Sequence, residues 1–183
     1  MSMLEVVNDA DEIIGIKPRA EIHAQGLRHR EVHVWLVTPE GQVVFQRRSP
    51  TKESFPNMLD ATAGGHVEIG QSYLESALME LEEETGIVVQ PDDLIEILKL
   101  NKSQVLGDPT FKNIVFRMIY MLPWKGQIAD LKIEAEDGSG FVLVPLKELL
   151  SKSPESADDM IPELFTENYM PVWEKIDAIL CAA

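Results

Sequence analysis

Three glutamates, Glu80, Glu83 and Glu84, stand at i, i+3 and i+4 within one stretch of the chain. On a helix that spacing gathers their side chains on one face. The stretch has the period for it: Leu74, Ala77, Leu78 and Leu81 fall at i, i+3, i+4 and i+7. The acidic face then lies roughly 120° from the apolar one, at ~100° per residue. Like charges at these spacings repel. Either water solvates them or a hard divalent cation offsets them, since Mg²⁺ takes carboxylate oxygens together with water and phosphate oxygens. The flanks favour the second reading. Gly64-Gly65 leads into the helix through a loop and Gly86 closes it, so backbone geometry is set at both ends of the acidic face. Ser72, with Glu75 three residues on, forms a capping box that starts the helix.

The surrounding elements read as follows. Residues 4–7 and 13–16 flank the turn Asn8-Asp9-Ala10-Asp11, giving an N-terminal β-hairpin over about residues 1–20. A polar stretch runs through Gln25-Gly26. Residues 32–37 and 43–46 form a second hairpin around Pro39-Glu40-Gly41. A polar loop spans 49–56. Residues 60–67, small and carrying Gly64-Gly65, read as a short strand that something approaches closely. Strands follow at about 94–100, 114–122 and 141–144, a short helix at 145–150, and a C-terminal helix at about 170–181. Hairpins, an embedded helix and a closing helix predict a single α+β (mixed α/β) domain over residues 1–183.

Residues 65–87, GHVEIGQSYLESALMELEEETGI, resemble the Nudix box, G-x5-E-x7-R-E-U-x-E-E-x-G-U, in which U is bulky and aliphatic. Gly65, Glu80, Leu81, Glu83, Glu84, Gly86 and Ile87 match it. The runs GLRHREVHVWLV and QRRSPTKESFPNMLDATAGGH resemble the branch related to isopentenyl-diphosphate isomerase, so the likeness covers roughly residues 4–87. It implies a mixed sheet sandwiched between helices. It also implies Mg²⁺, with Mn²⁺ able to substitute, on Glu80, Glu83, Glu84 and the Gly65 carbonyl. The reaction it implies is attack of water on a phosphorus of a small-molecule diphosphate such as a nucleoside di- or triphosphate. Glu80 and Glu84 are then the principal ligands, and Glu83 a ligand or the base; Glu83 and Glu84 are the catalytic candidates. A further acid is sought at Glu136 or Asp137, which could equally form an exposed turn. Relatives of this family are often homodimers.

Two consensus positions depart: Gln71 stands for the glutamate and Met79 for the arginine. In the family these form an ion pair that ties loop to helix. Removing one partner of a buried pair costs ~3–5 kcal/mol, whereas replacing both can be neutral. The joint change therefore predicts a repacked scaffold. It also leaves a non-catalytic binding module as the alternative. Isomerisation is disfavoured, because the isomerases carry a cysteine where this chain has Gly64, and its only cysteine is Cys181.

Arg47, Arg48 and Lys52 are candidates to hold substrate phosphate, with Lys112 a weaker one; surface ion pairing is the competing role. His23, His29 and His66 echo the isomerases' metal histidines, with Glu84 as a fourth ligand; His33 reads as structural. Trp35, Trp124 and Trp173 read as core residues. The formal net charge of −15 disfavours nucleic-acid polymers and anionic membranes. The apolar runs are too short to span a bilayer, no secretory signal is seen, and the single cysteine fits a cytoplasmic setting.

Overall fold

The computed structural model describes residues 2–52, 54–105, 112–134 and 138–182. In chain order the elements are β1 (Met3–Val7), β2 (Ile13–Pro18), α1 (Arg19–Gln25), β3 (His29–Val37), β4 (Gln42–Arg48), β5 (Leu59–Asp60), β6 (Ala63–His66), α2 (Tyr73–Thr85), β7 (Ile95–Val105), β8 (Lys112–Pro123), β9 (Gly138–Pro145), α3 (Leu146–Leu149) and α4 (Met170–Ala182).

The main sheet is seven-stranded and mixed. β3 and β8 run parallel along nine residue pairs, from His29↔Val115 to Val37↔Pro123, and the other pairings are antiparallel. The period of two decides which face each residue serves. Trp35 and Val37 of β3, Phe45 of β4 and Ile119 and Met121 of β8 join Val172, Trp173 and Ile176 of α4 in one buried cluster. Val34, Leu36, Val44, Met118 and Tyr120 point the other way and join Ala77 and Leu81 of α2. The sheet is thus sandwiched between α2 and α4, as the resemblance implies. Trp35 and Trp173 are fully buried in the first cluster, and Trp124 is partly buried against the second.

The N-terminal hairpin forms as expected. β1 and β2 pair antiparallel, and Asn8 Oδ1 accepts from the Ala10 and Glu12 amides at 2.9 and 3.0 Å to shape the turn. Leu4 and Val6 pack with Ile22 of α1. Helix α1 lies in the stretch the sequence left without an element. It is one short helix on a single buried apolar residue, Ile22, so no apolar period betrays it. Where one strand was expected at residues 60–67, two short strands, β5 and β6, span residues 59–66.

The β3–β4 hairpin pairs only beside its turn, at Leu36↔Val44 and Val37↔Val43. Beyond it the strands part, β4 joining β5 and β9 while β3 joins β6 and β8. Where they part a cleft of about 710 Å³ opens.

Candidate active site

β6 sets one wall of the cleft. It pairs with β3 at Glu31↔His66, Val32↔Gly65 and His33↔Gly64. Contact requires glycine at 64, and at 65 a side chain would displace the Glu80 carboxylate. A Cβ on Gly64 would lie 2.7 Å from the Val32 carbonyl, and one on Gly65 would lie 2.0 Å from Glu80 Oε1. The close approach expected of this strand is therefore the Glu80 carboxylate itself.

Helix α2 sets the opposite wall. Its capping box is present as predicted: Ser72 Oγ accepts from the Glu75 amide, and Glu75 returns a bond to the Ser72 amide. Gly86, at φ 73°, closes the helix in the left-handed region. Ala77 and Leu81 anchor the apolar face. Glu80, Glu83 and Glu84 all line the cleft, with Glu68 and Glu134 beside them. Glu84 is buried; it accepts from Gln46 Nε2 at 2.8 Å and from the Gly64 amide at 3.5 Å. Burial, then the charge of Glu80, pushes the Glu84 carboxyl up to about 8, against the pull of Gln46. Burial, then Glu83 and Glu134, pushes Glu80 up to about 7. Glu83 is exposed.

A divalent metal fits this wall. Hard oxygen donors converge on one cleft, one of them lies against the Gly65 backbone, and burial with neighbouring carboxylates makes charge costly on Glu80 and Glu84, a cost that a cation would relieve.

The broken consensus positions meet. Gln71 Nε2 lies 3.6 Å from Met79 Sδ, and Gln71 Oε1 accepts from Ser76 Oγ at 2.6 Å. Ser76 in turn receives the Glu68 amide at 3.3 Å. A neutral contact stands where the family has an ion pair.

The basic candidates separate. Arg48 and Lys52 line the cleft. Arg48 is paired to Asp60 at 2.8 Å, and burial, then Arg48, lowers the Lys52 pKa. Arg47 is not among the lining residues; it binds Asp159 and the Asn57 carbonyl, each at 2.7 Å. Arg19 of α1, absent from the sequence candidates, also lines the cleft. Lys112 lies with its side-chain carbons against Gly26. Glu136 and Asp137 lie outside the described residues.

A second cluster borders the same cleft, lined there by His23 and His66 with His29 fully buried beside them. His23, His29 and His66 offer ligand atoms all within 4.8 Å of one another. The Leu27 carbonyl accepts from His29 Nδ1 at 3.1 Å, which leaves Nε2 as the lone-pair nitrogen. The Nε2 atoms of His29 and His66 are buried without a hydrogen-bond partner. Burial above all lowers the three pKa values, that of His23 to about 4 and that of His66 to about 3, so the rings are neutral and able to ligate near pH 7. The adjoining carboxylate is Glu31, 4.0 Å from His29 Nε2 and 3.8 Å from His66 Nε2. Burial opposes the Glu31 charge, yet Arg117 at 2.6 Å holds its carboxyl well below the ordinary value. Asn113 also donates to it, at 3.0 Å. Sequence reasoning missed Glu31, although strand period places it on one face with His29 and His33. His33 is buried beside Tyr169 OH, at 3.3 Å, in keeping with a structural role.

Comparison with known proteins agrees with this geometry. The NUDIX domain model matches residues 27–164. An uncharacterized Nudix hydrolase of Clostridium acetobutylicum is 32% identical over 182 residues, 97% of this chain and 86% of that protein. A Deinococcus radiodurans crystal structure superposes with a TM-score of 0.69 at 27% identity, covering 95% of this chain and 99% of that one. The Nudix domain of Shewanella oneidensis NrtR, complexed with ADP ribose, shares the fold at a TM-score of 0.55 and 14% identity, covering 90% and 99%. The chain belongs to the Nudix hydrolase family, enzymes that act on phosphorus-containing anhydrides.

Proposed function

We propose that this chain hydrolyses the diphosphate linkage of a small molecule of nucleotide type, with Mg²⁺ on Glu80, Glu84 and the Gly65 carbonyl and Glu83 as the base. The observation that carries this reading is the convergence of Glu80, Glu83 and Glu84 on one cleft, with the Glu80 carboxylate against the Gly65 backbone and Glu84 buried. When bound, the metal neutralises charge on phosphoryl oxygens and lowers the pKa of water. The chain's own residues supply the rest. Half-buried Glu80 and buried Glu84, where a free charge is costly, are the principal ligands. Glu83 is exposed and needs no such compensation, so it is free to take the proton from water. Lys52 and Arg48 bring positive charge to the phosphates. A cleft of about 710 Å³ suits a ligand of nucleotide size.

The test is a substrate panel: nucleoside di- and triphosphates, nucleotide sugars, dinucleoside polyphosphates and isoprenoid diphosphates, each with Mg²⁺, assayed for phosphate or pyrophosphate release. Turnover of at least one member is expected. No turnover of any member, with Glu84→Gln indistinguishable from wild type, returns the chain to the status of a binding module.

A second proposal concerns the histidines. The buried Nε2 atoms of His29 and His66 favour a second metal held by His23, His29 and His66. Imidazole nitrogens select a softer ion than Mg²⁺, such as Zn²⁺. Metal analysis of purified protein should find it, and His66→Ala should lose it; equal metal content in both would contradict the site. The isomerase reaction finds no support, since Gly64 stands at the thiol position and Cys181 is exposed on α4.

A further inference from the structure

In the box consensus a charged pair fastens the loop to the helix, and here that pair is neutral. The N-terminal hairpin, which precedes the residues matched by the family model, fastens the same loop from outside. Gly70, at φ 81°, donates its amide to Glu5 Oε1 at 3.0 Å. Tyr73, the first residue of α2, donates its hydroxyl to Asp11 Oδ2 at 3.0 Å. Arg30 of β3 links the two carboxylates: its Nε reaches Asp11 Oδ1 at 2.7 Å, and its Nη1 lies 3.7 Å from Glu5 Oε2. The Arg30 guanidinium sits 5.4 Å from the Tyr73 ring centroid. Lys99 of β7 binds Asp11 as well. Glu5 is buried, and a carboxylate so placed is costly unless its bonds give something back.

We infer that Glu5 and Asp11 are positioning residues of the box. They hold the turn at Gly70 and the start of α2, and so set where Glu80 and Glu84 point. They take the place of the charged tie that Gln71 and Met79 no longer make. The mechanical route is short. Gly70 lies between Gly65, whose backbone meets the Glu80 carboxylate, and the first turn of the helix that carries Glu80. Loosening that turn changes the separation of Gly65 from Glu80. Ser76, bonded to both Gln71 and the Glu68 amide, passes the constraint along the helix. This inference rests on the box being a Mg²⁺ site.

The experiment is a Mg²⁺ titration of the full chain followed by the backbone amide signals of Gly65 and Glu80. Outer residues that orient ligands are worth about 10- to 100-fold in metal affinity, and Glu5→Ala with Asp11→Ala should cost a loss in that range. Glu5→Gln should bind nearly as wild type, because its amide oxygen still accepts from Gly70. Adding Gln71→Glu with Met79→Arg to the double alanine variant should recover most of the affinity, a rescue that general loss of stability would not show. Should the double variant not fold, Tyr73→Phe removes one hydroxyl and leaves both carboxylates in place. It should still weaken Mg²⁺ and speed hydrogen exchange at Gly70 in metal-free protein. Unchanged affinity in the folded alanine variant, no rescue by the restored pair, or unchanged affinity in Tyr73→Phe overturns the inference. Absence of Mg²⁺ binding to wild type would instead overturn the metal reading beneath it.

Discussion

Glu84 carries the largest consequence at the scale of single residues. Its carboxyl is raised from 4.5 to about 8 and that of Glu80 from 4.5 to about 7. A carboxyl with a raised folded-state pKa contributes stability that is fully present below its unfolded value and is lost as pH rises through its folded value. From these two groups, metal-free protein should lose thermal stability between pH ~4.5 and ~8. Mg²⁺ bound by these carboxylates, as proposed, would remove that penalty, so its stabilising effect should grow over the same interval; melting curves at several pH values with and without Mg²⁺ check both trends. A Mg²⁺ shift equal at both ends of the interval would contradict the assignment. Glu83→Gln should lower kcat by about 10²–10⁴-fold with little change in Mg²⁺ affinity if Glu83 is the base. A loss confined to Mg²⁺ affinity would make it a ligand instead. The histidines and Glu31 show how residue roles escape a sequence. His66 stands 37 positions after His29, so resemblance alone groups the three histidines, and it is the ladder pairing Glu31 with His66 that brings the carboxylate to them.

Elements were legible where their causes are local. Helix α2 could be read almost whole, because its cap, apolar period and closing glycine all lie within one short stretch of sequence. Gly64-Gly65 announced a close approach, and the approaching group proved to be Glu80. Helix α1 was not legible: Pro18 before it and Gly26 after it are boundary signals, but the single buried Ile22 leaves no period to connect them. The separation of β3 from β4, which opens the cleft, was also invisible, since hairpin signals describe the turn and not how far pairing continues. The local reading has measurable weight. Ser72→Ala should cost about 1 kcal/mol of stability through loss of the cap. Leu81→Ala, at a fully buried position, should cost about 2–5 kcal/mol. Denaturant titration should rank the two in that order, and the reverse order would mean that α2 is not held by its packing on the sheet.

The molecule as a whole sets the terms on which a substrate arrives. A chain of net charge −15 repels an anionic diphosphate at long range, while Arg19, Arg48 and Lys52 in the cleft attract it at short range. Salt screens the first effect more than the second. Raising ionic strength from about 0.01 M to about 0.15 M shortens the Debye length from about 30 to about 8 Å, so KM for an anionic substrate should fall over that range. A steep rise would show that local cations dominate capture. No helix among the described residues is long and apolar enough to cross a membrane.

The central claim is that water attacks phosphorus in a cleft whose metal is held by the box glutamates. The most direct measurement follows turnover of the best panel substrate in isotopically labelled water, with wild type and Glu84→Gln side by side at saturating Mg²⁺. The account predicts label in a phosphate-bearing product of wild type, and loss of turnover in folded Glu84→Gln. Label appearing only in a product without phosphate, or undiminished turnover by Glu84→Gln, would contradict it.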